Sequence, residues 1–80
     1  MKVPRDVNAN ELIRLLGRYG YVTTRQTGSH IRLSKKIGDM EHSVTVPNHN
    51  PVKIGTLQSI AKDICCANGL DLQKFYNQLQ

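Results

Sequence analysis

The sequence predicts an α+β fold of order α-β-β-β-α with a short helix at its end. Three observations carry that expectation. Apolar residues recur at helical spacing in two segments: Leu12, Leu15, Leu16 and Tyr19 early on, then Ile54, Leu57, Ile60, Ala61 and Ile64. Between them lie three short stretches rich in β-branched residues, separated by glycine-containing turns. Two helices cannot cover both faces of three antiparallel strands, so both should lie on one face of the sheet and leave the other open.

Length and composition narrow the classes further. A chain of 80 residues, read as one domain over residues 1–80, has room for one small core. It excludes a large barrel. Apolar residues make up 39%, more than a disordered chain carries. No apolar run is long enough to cross a membrane. The opening Met1-Lys2-Val3-Pro4-Arg5-Asp6 does not read as a secretory signal. The only cysteines, Cys65 and Cys66, are adjacent and make neither a disulfide scaffold nor a metal site. They read as packing residues of a reduced, cytoplasmic compartment. Eleven Lys and Arg against six Asp and Glu leave a net charge of +5, which favours an anionic partner.

The first helix is expected over Glu11–Tyr19. Asn8 suits its N-cap, with Glu11 placed three residues on as in a capping box. Val7 and Leu12 would form the hydrophobic staple, and Gly20 the left-handed stop. Next come strands over Tyr21–Gln26 and Ser29–Lys35. With Thr27-Gly28 as a two-residue loop, Arg25 opposes His30, Thr24 opposes Ile31 and Val22 opposes Leu33. Opposed residues share a face. Val22, Thr24, Ile31 and Leu33 then face the core, while Tyr21, Thr23, Arg25, His30 and Arg32 face away. A loop over Ile37–Met40 leads to a third strand, Glu41–Val46, with Val44 and Val46 inward. Pro47 ends it, and Asn48, His49, Asn50 and Pro51 form a stiff loop. The second helix should run over Ile54–Ala67 and stop at Asn68-Gly69. Asp71 caps a last helix carrying Leu72, Phe75, Tyr76 and Leu79.

The candidate site is Gly28-Ser29-His30. His30 projects from the open face near Arg25 and Arg32, with Lys35 and Lys36 extending the positive patch. Spacing alone leaves His30 open as a surface, structural or functional residue. Imidazole exchanges protons near neutral pH, so it can serve a ribose hydroxyl or a leaving oxygen. Neighbouring cations can hold a phosphate. RNA supplies its own nucleophile in the 2′-hydroxyl, so this kit calls for no metal or other cofactor. Ser29 reads as a turn hydroxyl or a phosphate donor. His49, with Lys53 close behind, reads as a solvated loop histidine that could touch RNA. Asp39, Glu41 and His42 only loosely suggest a metal site. Neither a Gly-rich phosphate loop nor a dinucleotide fingerprint is present.

Four segments together resemble the HicA (YcfA-like) family of small toxins. They are Glu11-Leu12-Ile13-Arg14-Leu15-Leu16 with Gly20-Tyr21; Arg25-Gln26-Thr27-Gly28-Ser29-His30; Val44-Thr45-Val46-Pro47; and Lys53-Ile54-Gly55-Thr56-Leu57 with Ile60. The resemblance covers about residues 10 to 70. It implies a double-stranded-RNA-binding-domain-like fold and a metal-independent endoribonuclease that cuts mRNA, with catalysis at His30. A HicB-like antitoxin would cover that face. Arg25, Ser29, Arg32, Lys35, Lys36 and Lys53 are the expected RNA contacts. The same basic face would also suit a non-catalytic RNA-binding module, or a domain that docks an acidic protein.

Overall fold

The computed structural model describes residues 2–79. Its elements are α1 (Ala9–Arg18), β1 (Val22–Thr27), β2 (His30–Ile37), β3 (Met40–Pro47), α2 (Ile54–Asn68) and α3 (Leu72–Asn77). The strands form one antiparallel sheet in the order β1-β2-β3. This is the expected α-β-β-β-α arrangement with a short final helix. No described helix is long and apolar enough to cross a membrane.

Local chemistry sets the helix ends. The Asn8 backbone N–H donates to Glu11 Oε1 at 3.2 Å, satisfying a group that the first turn leaves open. Gly20 follows α1 at φ +98°, and Gly69 ends α2 at φ +65° in the left-handed region. The apolar faces meet in one core. Leu12, Leu15 and Leu16 of α1 and Leu57, Ile60 and Ile64 of α2 pack over Ile31, Leu33, Val44 and Val46. Phe75 and Tyr76 of α3 close one end, with the Phe75 ring 6.0 Å from that of Tyr19.

β1 departs from the expected register. The loop of the β1–β2 hairpin is Gly28-Ser29, so Thr27 rather than Arg25 faces His30. Gly28 takes the first loop position at φ +56°, which suits the twist of a two-residue hairpin. A one-residue shift turns every side chain of a strand over. At the start of β1 it does so: Tyr21 is 2% exposed and Val22 62% exposed, the reverse of the expected burial. A bulge at Thr24 then restores the phase, so Arg25 still faces outward, opposite Arg32. The second hairpin is also tighter than expected, turning on Gly38-Asp39 with Ile37 paired to Met40.

Tyr21 takes the inward place because its ring buries more area than valine and its hydroxyl finds two partners. Lys35 has the same parity as Ile31 and Leu33, so it lies on the helix side and not in the open basic patch. Its Nζ donates to Asn68 Oδ1 at 2.5 Å and sits 5.7 Å from the Tyr21 ring centroid. An ammonium only donates, so Asn68 Nδ2 must point the other way, to Tyr21 Oη at 2.9 Å and the Ile64 carbonyl at 2.8 Å. The single Tyr21 proton is then left for His42 Nδ1, 2.6 Å away. His42 Nε2 lies 3.3 Å from Asp63 Oδ1. This chain of bonds ties β1, β2, β3 and α2 together. It also engages His42 with Tyr21 and Asp63, and among the described residues Asp39, Glu41 and His42 form no metal-binding group.

Tyr21→Phe should destabilise the fold by about 1–3 kcal/mol, because Asn68 and His42 lose a shared partner. A urea titration measures it. Burial raises the Tyr21 hydroxyl, with Asp63 adding to the rise and the Asn68 bond opposing it. Burial likewise raises the Cys65 thiol and the Tyr76 hydroxyl. Unfolded, such groups ionise at roughly 8.5 for a thiol and 10 for a phenol. The unfolded chain therefore releases these protons first as pH rises. Their stabilisation is complete below those values and is lost as pH climbs through the higher folded ones. The urea midpoint should fall steadily above about pH 9, and less steeply in the Tyr21→Phe protein.

Candidate functional site

Alternation along β2 aims His30, Arg32 and Lys36 away from the helices, and all three are exposed. His30 and Arg32, two residues apart, are separated by about 7 Å along the strand. Arg25 is directly opposed to Arg32, with His30 on its diagonal at about 7–8 Å. Two like charges facing each other across strands repel. Among the described residues neither guanidinium has a carboxylate within ion-pair distance; the one ion pair there joins His42 and Asp63. An anion laid between Arg25 and Arg32 would relieve that repulsion.

Lys36 is six residues along β2 from His30, about 20 Å in an extended strand, and it pairs with Glu41. It belongs to the basic face but not to the surroundings of His30. Lys35, on the other face, belongs to neither. Ser29 sits in the exposed hairpin turn, and its carbonyl accepts the Asn48 N–H at 2.5 Å.

That bond brings the loop after β3 against the turn before β2. Two more bonds hold the same loop from behind. Ala9 N–H donates to Asn50 Oδ1 at 2.9 Å, and Val52 N–H to the Val7 carbonyl at 2.8 Å. Residues 48–52 are thereby pinned between the hairpin and the start of α1. The result is a cavity of about 190 Å³ lined by His30, Pro47, His49, Val52, Lys53 and Thr56. Lys53 is also the N-cap residue of α2, and no side chain caps that helix end. The open N–H groups and helix dipole add positive potential at the cavity wall. A larger cavity, about 710 Å³, lies between residues 2–6 and α3 and contains none of these groups.

The structure thus puts His30, Arg25 and Arg32 on the open sheet face, with Ser29 in the adjoining turn, and sets Lys53 beside His30 at the cleft. It adds His49 and Thr56, which the sequence reading left out of the site. The signal for His49 was the Pro-bounded loop, but docking of a loop onto a distant turn has no local sequence signature. One imidazole, several cations and a small cleft can exchange a proton beside a bound phosphate.

A family model described as HicA toxin of bacterial toxin–antitoxin matches residues 9–64. The chain belongs to the HicA toxin family. The match begins with α1 and ends within α2, so it includes both the Gly28-Ser29-His30 turn and the loop that packs on it. Membership makes the chain a toxin of a toxin–antitoxin pair and implies a cognate antitoxin. It supports an endoribonuclease in general terms. Neither a curated protein nor a solved structure matched the chain.

Binding to a single-stranded 2′-O-methyl RNA, which lacks a free 2′-hydroxyl, reads the affinity of the basic face for phosphate. Arg25→Ala and Arg32→Ala should each weaken it and lower the log–log salt slope by about 0.7. Lys35→Ala should leave the slope unchanged and lower the melting temperature instead.

Proposed function

We propose that this HicA toxin is a metal-independent endoribonuclease that cuts mRNA in the cytoplasm and so stops translation. The supporting observation is His30 at a small cleft, on the same face as two arginines that have no carboxylate partner among the described residues. In this reading His30 exchanges a proton with the reacting groups as the 2′-oxygen attacks the adjacent phosphorus. Arg25, Arg32 and Lys53 hold the phosphate and offset charge gathering on its oxygens. Ser29 lends its hydroxyl or backbone to the same anion. The products of that attack are a 2′,3′-cyclic phosphate and a free 5′-hydroxyl. RNA provides the nucleophile, so the chemistry asks of the protein only proton transfer and phosphate binding.

A HicB-like antitoxin would silence the toxin by covering this face. The exposed cations favour a partner that presents carboxylates, and charge complementarity would speed the encounter. Covering the cleft and neutralising Arg25 and Arg32 would be one event.

Incubation with a long single-stranded RNA in excess chelator tests the reading. The wild type should fragment the RNA, and His30→Ala should be slower by about 10²–10⁴-fold. Equal cleavage by His30→Ala would remove His30 from the chemistry. Intact RNA with folded, partner-free wild type would leave a non-catalytic RNA-binding module.

A further inference from the structure

We infer that His49 is the second proton-transfer group of this site, the acid that protonates the leaving 5′-oxygen. The inference rests on the ribonuclease reading above. In an in-line displacement the attacking and leaving oxygens lie on opposite sides of phosphorus. One oxygen gives up a proton and the other receives one, and a single ring beside the phosphate does not reach both. A second group is needed across the cleft from His30.

The cavity offers few candidates. Besides His30 its lining holds His49, Lys53 and Thr56 as the side chains with exchangeable protons. A hydroxyl is a poor acid, and a lysine ammonium ordinarily keeps its proton until about pH 10. Imidazole is the side chain matched to neutral pH. Of the three histidines, His42 is on the helix side of the sheet with both nitrogens engaged by Tyr21 and Asp63. The other two share the cleft. Both are exposed, and among the described residues no side chain holds either ring, so both are free to meet substrate.

The loop is also held for this task. Asn48 bonds back to Ser29, the residue before His30, and Asn50 is bonded to Ala9. His49 lies between those two anchors, and its own N–H donates to the Pro47 carbonyl at 2.9 Å. Its backbone is therefore fixed relative to His30 before substrate arrives, which is the condition for effective proton transfer.

Neutral His30 takes the 2′-hydroxyl proton as the 2′-oxygen bonds to phosphorus. The P–O5′ bond breaks with its electron pair on O5′, and protonated His49 gives O5′ a proton. The cyclic phosphate and the 5′-hydroxyl leave, and the two imidazoles return to their starting states through water.

The test uses two oligonucleotides with one cleavable nucleotide each, identical except that one carries sulfur in place of the bridging 5′-oxygen. A thiolate leaves without an acid. His49→Gln should lose about 10²–10⁴-fold on the oxygen substrate and remain within a few-fold of wild type on the sulfur substrate. It should also lose the alkaline limb of the pH–rate profile. His30→Gln should be slow on both. Equal losses by His49→Gln on both substrates, wild-type rates on both, or rescue of His30→Gln by sulfur would overturn the assignment while leaving a ribonuclease. Folded wild type that cuts neither would overturn the ribonuclease reading itself. The exposed position of His49 lets glutamine replace it without loss of fold, which circular dichroism checks.

Discussion

Alternation along β2 is the constraint that joins the core of this molecule to its site. Burying Ile31 and Leu33 under the helices forces His30 and Arg32 outward, since neighbours on a strand point to opposite faces. Each of those two apolar side chains is worth about 1.5–3 kcal/mol when fully buried. A one-residue slip would forfeit both and draw a guanidinium into the core. β3 fixes the alignment by pairing with β2 from His30 to Ile37 without interruption. The central strand thus presents the site residues by the same geometry that stabilises the fold.

The edge strand absorbs what the central pair does not allow. β1 has exposed side chains throughout, so little burial energy sets its register. That is why its pairing was the least legible part of the sequence. The periodicity of α1 and α2 and the parity of Ile31, Leu33, Val44 and Val46 were readable because each rests on several apolar residues agreeing. Where the chain enters β1, the choice between Val22 and Tyr21 turned on a hydroxyl whose partners, Asn68 and His42, are far along the chain. The bulge at Thr24 then brought Arg25 to the expected face for a reason the strand pattern did not contain. Lys35 was misplaced because charge was weighed above parity. Its ammonium sits over the Tyr21 ring and reaches an amide at the end of α2.

The site has a similar division. The exposure of His30 and Arg32 was legible because strand spacing sets it, whereas Arg25 reached the same face through the bulge. The cleft was not legible, since it exists only through bonds that join Ser29 to Asn48, Ala9 to Asn50 and Val7 to Val52. Those contacts bridge separations that no local pattern encodes. They also explain how so small a chain holds a preformed cleft. The loop is fastened to the hairpin on one side and to the start of α1 on the other, and among the described residues the cations around it lack carboxylate partners. An RNA phosphate and an acidic antitoxin surface would compete for the same unmet charge.

End-group analysis of the RNA fragments tests the central claim most directly, namely that the RNA's own 2′-hydroxyl is the nucleophile at a histidine-lined cleft. The account predicts a 5′-hydroxyl on one fragment and a cyclic phosphate, or the 3′-phosphate it hydrolyses to, on the other. It also predicts that one 2′-deoxy nucleotide at the cleavage position abolishes the cut. Fragments ending in 5′-phosphate and 3′-hydroxyl, or cleavage that persists at the deoxy position, would contradict it.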